Sequence, residues 1–108
     1  MKVSYRQAAS DDVVRQFRYY LATMDVPEVA MRFRSAVRST VQSLLQHPFV
    51  GPYYRASNPH LQNLRAWPVA GFEAIRIYYV VDEDTLRVIR ILHGKRDVKR
   101  ILEREQTL

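Results

Sequence analysis

A chain of 108 residues, 47% hydrophobic and 26% charged, has enough material for one buried core and not for two. It has no cysteine, which excludes disulfides and thiol chemistry, and no apolar run near the ~18–20 residues a membrane span needs. Seventeen Lys and Arg against eleven Asp and Glu give a net charge of +6, with fourteen of the seventeen arginine, so an anionic partner is expected.

Lys2 to Arg6 alternates polar and apolar residues and predicts a short first strand; with no apolar leader there, a cytoplasmic location is expected. Ser10-Asp11-Asp12 supplies an N-cap and an acidic first turn, so a helix is predicted over about 10–23, with Val13, Val14, Phe17, Tyr20, Leu21 and Met24 on its apolar face. Asp25-Val26-Pro27-Glu28 ends that helix and opens another, with Asp25 and Glu28 at capping-box spacing. The second helix is predicted from Pro27 to Gln46, burying Ala30, Phe33, Ala36, Val37, Val41, Leu44 and Leu45, until His47-Pro48 stops it. Two amphipathic helices joined by a tight break make a hairpin that must lie on a sheet.

A loop rich in Pro, Gly and Tyr runs from Phe49 to His60. Strands are then predicted at about Leu61–Trp67, Ala74–Val81 and Leu86–Leu92. Pro68 belongs at a sheet edge or bend, Gly71 in a turn, and the strand before Asp82 at the sheet centre, because it is apolar on both faces. Tyr78 and Tyr79 should point to opposite faces. Asp97 caps a last short helix carrying Val98, Ile101 and Leu102. The order βααβββα in one domain over 1–108 predicts an α+β fold, a helical hairpin packed on a small antiparallel sheet.

His47, His60 and His93 are at no ligand spacing, so no metal is expected. Three isolated glycines make no phosphate-cradling loop, and no cofactor is implied. The exposed turn His93-Gly94-Lys95-Arg96 on a rigid strand end is the segment where function is most expected. Arg90, within an apolar strand, also has the plain reading of a side chain paired with an acidic side chain or a carbonyl.

Leu64-Arg65-Ala66-Trp67-Pro68-Val69-Ala70-Gly71-Phe72-Glu73, the pair Tyr78-Tyr79 and Arg90-Ile91-Leu92-His93-Gly94-Lys95-Arg96-Asp97 together resemble the ParE branch of the RelE/ParE toxin superfamily. The resemblance implies the compact α/β fold of those toxins and a toxin of a two-component toxin–antitoxin module. It further implies poisoning of DNA gyrase and neutralisation by a ParD-like antitoxin of the ribbon-helix-helix type. Operator DNA would be met only through the antitoxin complex. Candidate partner-binding residues are then Arg65, Trp67, Arg76, His93, Lys95 and Arg96. The alternative the superfamily offers is a ribosome-dependent endoribonuclease of the RelE kind, which would draw on Arg65, Arg90, His93 and Arg96, with Arg76 a further candidate. Against it, Ile75 stands where those nucleases carry a strand Arg, and no Tyr follows the last strand in Arg104–Leu108. A stand-alone basic nucleic-acid-binding domain is a third reading, without a recognised signature.

Overall fold

The computed structural model describes residues 1–105; the closing residues 106–108 of the stretch without a tyrosine lie outside the described residues. Strand β1 (Lys2–Tyr5) leads into helix α1 (Gln7–Arg18), which continues as a π-helical turn over Tyr19–Thr23. Helix α2 (Pro27–Gln46) follows, then a 3₁₀ turn (Pro59–Leu61), strands β2 (Arg65–Val69), β3 (Phe72–Asp82) and β4 (Thr85–His93), and helix α3 (Val98–Glu103). The strand order is β1-β4-β3-β2. The α+β class and the helical hairpin are as expected, but the sheet is mixed: β1 runs parallel to β4, Val3 opposite Leu86 and Tyr5 opposite Val88. A hairpin of helices returns the chain to the starting end of the sheet, which permits that parallel pairing.

Several boundaries differ from expectation. Helix α1 begins at Gln7 rather than Ser10, with no side-chain cap at Arg6. Arg6 N–H is still bonded to Val88 O (3.0 Å) while its own carbonyl already accepts from Ala9 and Ser10, so tertiary pairing sets the helix start. Asp12, expected near the cap, is buried one turn inside. Asp25 does not cap α2 either; it takes φ of 53°, and Val26 stands at the N-cap position without a side-chain bond. An Asp tolerates that left-handed geometry better than most residues do, and there it breaks the helix. Leu61 belongs to the 3₁₀ turn, so β2 starts four residues later than predicted.

Both faces of the sheet are covered. On one, Phe33, Val37, Val41 and Leu44 of α2 meet Ile75, Ile77, Tyr79, Val88 and Ile91. The π turn widens the end of α1, with Met24 N–H reaching back to Tyr19 O (2.9 Å). Tyr20 there joins Phe33 and Phe72 at centroid distances of 5.7 and 5.9 Å. On the other face Leu61, Leu64 and α3 residues Val98 and Leu102 cover Tyr78, Ile89 and Leu92. Tyr78 and Tyr79 thus serve opposite faces. β4 carries one extra residue, Ile89, between the pairs Tyr78–Arg90 and Tyr79–Val88, and this bulge returns Ile91 to the hairpin side.

Candidate functional site

The turn after β4 is built from backbone bonds. His93 lies opposite Ile75, Gly94 N–H donates to Ala74 O (2.8 Å), and Arg96 N–H donates to His93 O (3.0 Å). Lys95 N–H donates to Nδ1 of His93 (3.0 Å), so a neutral ring keeps its proton on Nε2. Asp97 then accepts from Arg100 N–H, the cap expected of it. The side chains of Lys95 and Arg96 are left exposed.

The remaining expected site residues do not join that turn. Arg65 is a staple for the loop before β2: its guanidinium donates to Phe49 O (3.1 Å) and Gly51 O (2.8 Å) and lies 4.2 Å from the Tyr53 ring centroid. Its strand partner Tyr79 secures the same loop, donating to Pro48 O (2.8 Å) and accepting from Gly51 N–H (3.1 Å). Burial pushes the Tyr79 hydroxyl pKa up, against the opposing pull of the Gly51 N–H and Arg65. Trp67 is half-buried against the hairpin-side core. Arg76 is exposed on the other face, in a groove of about 400 Å³ with Tyr53, Pro68 and Glu73. Ile75 is core.

Arg90 is engaged on both sides. Its Nε and Nη2 donate to the Asp12 carboxylate at 2.7 and 2.8 Å, and its Nη1 donates to Glu105 at 2.7 Å. The paired Asp12 carboxylate holds the guanidinium pKa above its ordinary value; burial opposes this, and Glu105 adds to it. Asp12 also accepts Ile91 N–H (2.9 Å), a strand-edge donor that β1, ending opposite Val88, leaves uncovered. Glu105 is shared with Arg6 (2.7 Å), and Asp12 with Arg15 (3.1 Å). Of the two partners expected for Arg90, an acidic side chain or a carbonyl, the acidic one is found, twice over.

Sequence reasoning missed Asp12 and Glu105 because their partner is remote in the chain. It also missed Asn58, whose buried amide donates to the carbonyls of Leu102 (2.9 Å), Glu103 (3.3 Å) and Glu105. The Asn58-Pro59 sequence, a turn signal, was the available hint. On the hairpin, Arg34 and Arg38 rim a groove of about 310 Å³ floored by Tyr5, Val13 and Val37. Val14, Leu21, Met24 and Met31 are exposed nearby in sequence on the same two helices and their junction. Among the described residues no acidic or histidine cluster fit for a metal is found, and no helix is long and apolar enough to cross a membrane.

A family model described as the ParE toxin of the type II toxin–antitoxin system parDE matches residues 3–98. A solved structure described as the chromosomal ParDE TA system from P. aeruginosa superposes with a TM-score of 0.69, at 17% identity, covering 86% of this chain and 95% of that one. No curated protein sequence matches.

Proposed function

From the premise that the chain belongs to the ParE toxin family of type II toxin–antitoxin systems, we propose that it arrests cells by binding DNA gyrase rather than by cutting RNA, and that a ParD-like antitoxin neutralises it in the cytoplasm. The observation that carries the choice of binding over cleavage is the state of Arg90. Arg90 gives three of its five N–H donors to Asp12 and Glu105, and its charge is already matched by two carboxylates, which ill suits it to a phosphorane; Ile75 puts a core side chain where the nucleases place a cation. Stabilisers of a cleavage transition state are commonly worth ~10²–10³ in rate each, so a surface without two of them would cleave poorly.

The antitoxin half of the reading is supported by the hairpin. Arginines rimming an apolar floor suit an acidic, amphipathic segment that orders as it binds. Exposed Val14, Leu21, Met24 and Met31 supply the apolar area such a segment would cover.

The test follows messenger-RNA integrity on ribosomes beside gyrase supercoiling and cleavage-complex formation. Gyrase inhibition with intact RNA is expected. Rapid codon-linked cleavage abolished by His93→Ala would replace this reading with the ribonuclease one. Mixing with the protein encoded by the neighbouring gene should give a tight complex whose association rate, more than its final affinity, falls with salt.

A further inference from the structure

The long central strands separate charge along their length. At one end Asp82, Glu83 and Asp84 form the β3–β4 turn, with Arg87 and Lys2 drawn to Asp82 and Asp84 at 3.7 and 3.9 Å. Eight residues further along β4, about 27 Å at the rise of a strand, the chain turns through Lys95 and Arg96 into α3, which adds Lys99, Arg100 and Arg104. Between Lys95 and Arg104 five cations meet two carboxylates, and both carboxylates are engaged. Asp97 holds the Arg100 backbone and guanidinium (3.3 and 3.4 Å), and Glu103 accepts from the Ser57 hydroxyl (3.1 Å). Lys95, Arg96, Lys99 and Arg104 are exposed and form no ion pair among the described residues.

The mounting is firm. Val98 and Leu102 are buried in the second core, and Asn58 grips the carbonyls at the end of the helix. A groove of about 540 Å³ beside α3, lined by Tyr54, Ala56, Lys99 and Leu102, brings in Arg55 as a further cation. The two rings that precede Arg55 are already engaged, Tyr54 edge-on against Tyr78 at 5.2 Å and Tyr53 with the Arg65 guanidinium 4.2 Å from its centroid. Single-stranded nucleic acid is usually held by bases stacked on open aromatic faces, whereas a duplex backbone needs only a fixed row of cations. This row lies across the sheet from the α1–α2 hairpin and its groove.

We propose that Lys95, Arg96, Lys99 and Arg104, with Arg55, form a docking face for the phosphate backbone of a DNA duplex, so that the toxin itself touches DNA. The inference goes beyond the proposed function and does not require gyrase to be the target. The acidic turn at the far end of the sheet orients the encounter, because a charge-separated molecule meets a polyanion with its basic end foremost.

The test titrates the purified protein into a short fluorescein-labelled duplex and reads anisotropy. Five phosphate contacts at about −0.9 each give a log–log salt slope of about −4.5, so affinity should drop about 500-fold between roughly 50 and 200 mM salt. Changing Lys95, Arg96, Lys99 and Arg104 together to Gln should abolish most binding. Changing Arg18, Arg32, Arg34 and Arg38 to Gln removes the same charge from the hairpin and should keep the wild-type slope. Circular dichroism checks that each variant folds; should the first fail, Lys99→Gln and Arg104→Gln alone should each reduce the slope by about 1. Equal loss in the two variants, no binding at low salt, or stronger binding of single-stranded RNA than of the duplex would overturn the proposal. Antitoxin binding and growth arrest are scored separately, so failure here leaves the toxin reading standing.

Discussion

Removing the Asp12 carboxylate tests whether the edge of β4 is held together by charge. That side chain is 1% exposed, and Arg90 facing it is 13% exposed. In Asp12→Ala, Arg90 keeps only Glu105, and Ile91 N–H loses its acceptor inside the protein. Breaking a buried ion pair from one side costs about 3–5 kcal/mol, a range that already includes part of the stranded donor's desolvation. Against a usual total of about 5–15 kcal/mol, such a loss would bring the protein close to unfolding. Urea unfolding followed by circular dichroism reads it as a large fall in midpoint at unchanged slope. Asp12→Asn retains one acceptor for Ile91 and should lose less. Pairing Asp12→Ala with Arg90→Met should recover much of the stability, since replacing both partners with apolar groups is often near neutral. A single-variant loss below about 1 kcal/mol, the scale of a surface change, together with no coupling in the cycle, would refute the reasoning.

Phe33→Ala should cost about 3–5 kcal/mol in the same assay, because the ring is fully buried against Tyr20 and Phe72. Tyr79 has a folded pKa above its ordinary value, so its contribution to stability is complete below about pH 10 and is lost as pH climbs through the folded value. Tyr79→Phe should flatten that alkaline loss in pH-dependent unfolding, with Tyr78, also raised by burial, sustaining part of it. The same change should lower stability near neutrality by about 1–3 kcal/mol, since Gly51 N–H loses its acceptor. Asn58→Ala should leave the sheet protected while amide hydrogen exchange in α3 accelerates, because the carbonyls of Leu102 and Glu103 lose a shared donor.

What was readable in the sequence is what depends on near neighbours. The stripe and proline entry of α2 are local signals, and its bounds match at both ends. Pro68 sits on the edge strand β2, and Gly71 takes φ of 81° in the turn, as their backbone chemistry demands. The misses depend on distance. The start of α1 is set by a bond from Arg6 to Val88, and the parallel mate of β1 lies some eighty residues away. Within the candidate site, sequence placed the exposed turn at Lys95 and Arg96 but could not tell that Arg65 would be spent on a loop or Arg90 on Asp12 and Glu105. An arginine looks the same in a sequence whether it is free or already paired.

The parallel pairing of β1 with β4 also sets when the molecule can exist at all. Residues 2–5 are made some eighty residues before their mates, residues 85–88, in the last of the described strands. At about 5–20 residues per second, the first strand waits roughly 4–16 s for its neighbour to be synthesised. Through that interval the hairpin helices have no completed sheet to bury against. Until β4 emerges the nascent chain cannot complete this sheet, and a message cut short before β4 would lack the mate on which β1 depends.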